Sequence, residues 1–204
     1  DTYNVAVGYQ AGGSVTTGTV NTIIGGLAGD ALTTGSSNTV IGQEALTTET
    51  TGTLNVAIGR EALRYSALSN KSIGIGYAAL QAQANSSLTD TYNVAIGHIA
   101  GSSITTGVNN TIMGGLAGDA LTTSTNNVLL GYEAGTNATI GNSNTAVGFQ
   151  ALYANVAGDR NVAVGTGALT FMTSASTADT YNVAVGYQAG GSVTTGVNNT
   201  LIGG

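Results

Sequence analysis

NVAVGYQAGGSVTTG, Asn4–Gly18, holds the five letters that decide the fold: Asn, three apolar residues and Gly. NVAVG (Asn4–Gly8) returns as NTIIG (Asn21–Gly25), NTVIG (Asn38–Gly42), NVAIG (Asn55–Gly59), SIGIG (Ser72–Gly76) and NVAIG (Asn93–Gly97). It continues as NTIMG (Asn110–Gly114), NVLLG (Asn127–Gly131), NTAVG (Asn144–Gly148), NVAVG (Asn161–Gly165), NVAVG (Asn182–Gly186) and NTLIG (Asn199–Gly203). The closing glycines are 17 residues apart, except for steps of 21 between Gly76 and Gly97 and between Gly165 and Gly186. Four short steps and one long one make 89, so the chain divides into super-repeats 1–89, 90–178 and a partial third at 179–204. It reads as one repeat array cut from a longer fibre.

Seventeen residues are too few for a helical repeat but suit one coil of a parallel β-solenoid. The Val-, Ile- and Thr-rich motif is the first strand of each coil. A second strand is expected before TTG. Gly18, Gly35, Gly52, Gly107, Gly141, Gly158 and Gly196 recur ten residues after a motif glycine, and are expected at a turn that needs positive φ. Twelve strands stacked at ~4.8 Å give a rod of roughly 50–55 Å.

The composition agrees with a rod rather than an ordinary globule. Charged residues are 7% of the 204, with 32 Gly and no Pro or Cys. The formal net charge of −6 argues against nucleic acid as a partner. No apolar run reaches the ~20 residues of a membrane-spanning helix, so no membrane insertion is expected of this segment. The absence of Cys removes any disulfide framework.

Stacking turns positions into columns. Asn4, Asn21, Asn38, Asn55, Asn93, Asn110, Asn127, Asn144, Asn161 and Asn182 form a column expected to ladder at a turn, and only Ser72 interrupts it. Strand side chains alternate faces. The first and third positions, such as Val5, Val7 and Ile58, are assigned to the coil's own core. The second position holds Ala6, Ile23, Val40, Ala57, Gly74, Ala95, Ile112, Leu129, Ala146, Ala163, Ala184 and Leu201, and is never polar. It is assigned to the outer face, where an apolar row calls for a cover, namely another copy of the chain. Three residues past each motif glycine stands an Ala, and after it always Gly or Leu, both read as packing columns.

VAIG followed, after two intervening residues, by Ala, as in Val56–Gly59 with Ala62, resembles the repeat of the YadA-like head of trimeric autotransporter adhesins. The same kind of repeat recurs in phage tail-fibre proteins, to which NTAVGFQALYANVAGDRNVAVG (Asn144–Gly165) is particularly similar. The resemblance implies a left-handed parallel β-roll, three chains about a common axis and a role in attachment. Its partners would then be two further copies and a host glycan or protein receptor, on a virion or at the cell surface. The 17-residue unit is longer than the typical adhesin-head unit. A phage tail fibre is the first reading and a bacterial adhesin head the second.

No catalytic, cofactor or metal residue is assigned, and the chain is read as a non-enzyme. His98 is the only His. Glu44 and Glu61 share a column and would stack ~5 Å apart, the separation of retaining glycosidases; with Arg60 and Arg64 beside them, a neutralised pair is the simpler reading. The Thr pairs, such as Thr16/Thr17 and Thr33/Thr34, raise ice binding, but neighbouring Thr point to opposite faces. The extra residues of the 21-residue units fall within Leu80–Tyr92 and Leu169–Tyr181, as a recognition loop or a wider turn.

Overall fold

A computed structural model describes residues 2–174 and 179–204. They form an all-β parallel solenoid, and no helix is long and apolar enough to cross a membrane. Twelve three-residue strands, from Val5–Val7 to Thr200–Ile202, make one continuous parallel sheet. Each strand pairs with the next motif strand along the chain with no slip: Val5 opposes Thr22, Ala6 opposes Ile23 and Val7 opposes Ile24, and so on up the stack.

Each coil closes through sharp corners. The residue before the motif Asn, the residue two after the motif glycine and the one four after it all sit in the left-handed region, as at Ser37 (φ 59), Glu44 (φ 56) and Leu46 (φ 51). Such a residue costs roughly 1–2 kcal/mol outside glycine. Hydrogen bonds to adjacent coils hold these corners: Ser37 N–H donates to Thr19 O at 2.9 Å, Glu44 N–H to Gly26 O at 3.0 Å and Leu46 N–H to Ala62 O at 3.0 Å. The motif glycine itself is required. At Gly42 (φ 138) an added Cβ would lie 2.4 Å from the carbonyl oxygen of Gly59 in the next coil.

Three expectations are corrected. The glycines ten residues past the motif do not occupy the left-handed region. They allow a close approach instead: a Cβ on Gly18 would sit 2.3 Å from Gly35 O, and one on Gly107 2.3 Å from Ser124 O. Among the described residues, the second strand of the coil is present only at Ala67–Asn70, paired in parallel with Ala84–Asp90. Elsewhere that side is carried by single bonds, such as Thr16 N–H to Thr33 O at 3.0 Å.

The third correction is the largest, because the two strand faces are exchanged. Ile23, Val40, Ala57, Ala95, Ile112, Leu129, Ala146, Ala163 and Ala184 are at most 1% exposed within a single chain, and they line the core of the coil. Ala6 points the same way, towards Gly12, but lies open in the terminal coil. The first and third positions face out. Val5, Val7, Ile24, Met113, Val185 and Ile202 are exposed, and Ile58 is half-buried. The chain curls after each motif glycine towards the second position, so the buried Ala column, Ala28 to Ala168, closes over that face.

The core is one side chain wide, and volume is traded across it. Where the second position of the next coil is large, the column four past the motif glycine is Gly. A Cβ on Gly118 would meet Leu129 Cδ1 at 2.7 Å, and one on Gly101 would meet Ile112 Cδ1 at 3.1 Å. Where the next coil's second position is Ala or Gly, that column is Leu, as at Leu46 before Ala57 and Leu63 before Gly74, with Gly135 before Ala146 as the exception, where Leu129 of its own coil fills the space. This is close packing across facing positions.

Candidate functional site

The Asn column lies inside the rod. Asn38 donates from Nδ2 across its coil to Gly52 O at 2.9 Å and to Asn21 Oδ1 at 3.1 Å, and its N–H donates to Asn21 Oδ1 at 3.0 Å. The cross-coil bond recurs from Asn4 (to Gly18 O, 2.7 Å) to Asn182 (to Gly196 O, 2.8 Å). Most of these side chains are buried, so every amide lost would orphan a carbonyl or N–H at about 1–3 kcal/mol. Ser72 breaks the column and cannot span the coil. Gln83 fills the gap, donating to Ser72 Oγ and accepting from Asn93 Nδ2 at 2.9 Å.

Glu49 is a buried carboxylate that sequence reasoning missed. It is 0% exposed. Its Oε1 accepts the N–H groups of Thr50 (3.1 Å), Thr51 (3.2 Å) and Gly52 (2.8 Å), and its Oε2 accepts Ser69 N–H at 2.9 Å. It ties a turn to the coil above. The only sequence signal is an acid in a column that holds Leu32, Ile104 or Leu121 in some coils and Ser66, Gln83 or Asn155 in others.

The charged residues form small surface clamps. Arg64 bridges Glu44 at 2.6 Å and Glu61 at 3.5 Å, and Arg60 pairs with Glu61 at 3.0 Å. The stacked acids that raised glycosidase chemistry therefore share one guanidinium. Lys71 pairs with Asp90 at 2.6 Å, donates to Tyr92 Oη at 3.0 Å and sits over its ring. Arg160, Asp179 and Tyr181 repeat this cluster 89 residues on. The hydrogen bond from Lys71 holds the Asp90 carboxyl below its ordinary range, and the same bond raises the Lys71 ammonium. The clamp stands at the root of the first insertion, whose Ser86, Ser87 and Leu88 are exposed. Residues 175–178 of the second insertion lie outside the described residues.

Thr hydroxyls on the opposite side serve the backbone: Thr33 Oγ1 donates to Thr50 O at 2.9 Å, and Thr122 Oγ1 to Thr139 O at 2.9 Å. His98 stacks on Tyr77 with ring centroids 5.3 Å apart. Among the described residues no group of three His, Asp or Glu is placed to hold a metal.

Two surface features remain. The first is the outward strand face, with an aliphatic residue or Met in the third position of all twelve strands and mostly Val or Thr in the first. The second is a cleft of about 770 Å³ that opens between the column just past the motif glycine and the next corner, at Thr170, Phe171 and Gly190 to Val193, and reaches Leu201. There Phe149 and Tyr187 flank a coil that carries only Thr166 and Gly167. The signal in the sequence was a small residue between two aromatics of one column. No family model, curated protein or solved structure matches the chain.

Proposed function

We propose that this chain is a structural segment of a trimeric attachment fibre, a phage tail fibre, in which three left-handed β-rolls pack about a common axis on their outward strand faces. The observation that carries this reading is the uncovered aliphatic face. A soluble single rod has no reason to keep Val7, Ile24, Ile41, Ile58, Ile75, Ile96, Met113, Leu130, Val147, Val164, Val185 and Ile202 apolar on its surface. A copy of the same chain is the occupant that fits, because only the same repeat presents side chains at the same pitch, coil for coil. The interface thus moves from the second strand position, expected from the sequence, to the first and third. Backbone ladders then give a stiff spacer that presents a receptor-binding surface to the host.

Sedimentation equilibrium is expected to return about three times the 20.0 kDa of one chain. Ile58→Asp and Val147→Asp are expected to give folded single chains, because both substitutions point outward. A stable wild-type monomer at micromolar concentration overturns the trimer. Immunogold label on virion appendages supports the tail fibre, and label on bacterial cell surfaces supports an adhesin head instead.

A further inference from the structure

We propose that the cleft between Phe149 and Tyr187 is a saccharide-binding site that takes one neutral pyranose ring between the two aromatic walls. The inference rests on the cleft alone and holds whether or not the chain is a fibre.

The walls are built by the stack. Phe149 lies on Tyr132 with centroids 6.0 Å apart and planes at 6°, so one face of its ring is braced by the coil below. Its other face turns towards the next coil, where Thr166 stands in place of an aromatic residue. One coil further, Tyr187 occupies the same column and is exposed. Two coils separate the walls by about 9.6 Å of backbone rise. The cleft volume, about 770 Å³, lies within the usual range of small-molecule sites, about 300–1,000 Å³.

The remaining lining is uncharged and mixed, with Gln150, Gln188, Thr170 and Ser192 polar and Phe171, Val193 and Leu201 apolar. Gly167 is buried, and a Cβ there would press on Gln188 Cγ at 3.2 Å. Gln150 is oriented by donating from Nε2 to Glu133 at 2.7 Å, which leaves its carbonyl as an acceptor for a hydroxyl. Gln188 on the opposite edge offers both amide functions. Apolar faces for the C–H surface of a sugar, with amides at its rim for the hydroxyls, match a neutral saccharide. A nucleic acid strand would need cations here, and the four cations of the chain are each paired with a carboxylate elsewhere.

The corresponding column 89 residues earlier is filled: Arg60 lies over Tyr77 and Tyr77 stacks on His98. Thr166→Tyr copies that filled arrangement and is compatible with the coil, since Tyr77 occupies the same place. The test is binding of the 204-residue chain to an array of immobilised natural glycans. Saturation-transfer NMR with glucose, galactose and N-acetylglucosamine follows, with adenosine as a flat control. Expected are binding to at least one glycan, transfer to the ring protons of its terminal pyranose, and roughly tenfold or greater weakening in Tyr187→Ala and Thr166→Tyr. No glycan bound, binding unchanged in Thr166→Tyr, or binding of adenosine without any sugar overturns the proposal.

Discussion

The two super-repeats, 1–89 and 90–178, share a backbone course over their described residues and differ in what they put on it. The Asn ladder, the motif glycines and the Ala column run through both, and so does the cation–Asp–Tyr clamp at each long turn. Beneath that common frame the interiors diverge. Glu49 and Ala138 stand at equivalent places, as do Leu46 and Gly135, Val40 and Leu129, and Gln83 and Met172. All eight side chains or backbones are accommodated because each substitution is answered by its neighbour in the same thin core. Outside, the Arg60–Tyr77–His98 stack at the boundary of the first and second copies corresponds to the Phe149–Thr166–Tyr187 cleft at the boundary of the second and third. The backbone ladder therefore tolerates exchange of whole columns, provided that volume and hydrogen bonds are balanced locally.

The carboxylate gives the largest expected effect. Glu49→Ala strands four backbone N–H groups and should cost about 3 kcal/mol in denaturant unfolding, while Ala138→Gly should cost about 1 kcal/mol. Equal losses would mean that the two interiors are held alike and that the buried acid is incidental. Next is the exchange of volume. Gly135→Leu introduces a side chain where a Cβ already meets Leu129 Cδ1 at 3.0 Å, and overpacking should cost about 2 kcal/mol. Adding Leu129→Val recreates the Val40/Leu46 pairing and should recover most of it. Failure of that rescue in a double-mutant cycle would break the compensation rule.

Smaller effects sharpen the outer comparison. Tyr77→Thr opens the filled column of the first copy and should cost about 1 kcal/mol or less, from one ring stack and one cation–π contact. It should create no saccharide site, because Arg60 and His98 are not aromatic walls of the required kind. The smallest effect is expected at Asp119. Burial pushes its carboxyl above the ordinary range, and the Glu133 charge adds to this. The folded chain thus holds that proton more tightly than the unfolded chain, and stability falls as pH rises through the raised value. Asp119→Asn should raise the melting temperature by about 2 °C at pH 7, with less gain at pH 3, where the native acid is protonated. A gain independent of pH would assign the effect to something other than charge.

The repeat made much of this legible in advance. The 17- and 21-residue spacing predicts which residues stack, and the in-register sheet and the Asn ladder follow the same columns. The added strand Ala84–Asp90 falls within the expected insertion, Leu80–Tyr92. The cleft was hidden because a column of surface residues carries no periodic constraint, and its meaning lies in a missing ring. Glu49 was hidden because its column mixes apolar residues such as Leu32 and Leu121 with polar ones such as Ser66, Gln83 and Asn155, so one more polar residue does not stand out; only the structure shows that Glu49 and Asn155 accept the N–H three residues on, from Gly52 and Gly158. The glycines before the Asn were legible as necessary but not for the right reason, since close approach and positive φ leave the same letter.

What the sequence by itself determined is the order of the stack. Register follows from a period, and a period survives translation into one dimension. What only the tertiary structure decided is which face of the strand is inside. Both faces are apolar, so alternation alone is silent. The choice is made by the direction in which the left-handed corners at Glu44, Leu46 and their equivalents turn the chain, folding the Ala column over Val40 and Ala57 and leaving Ile41 and Ile58 outside.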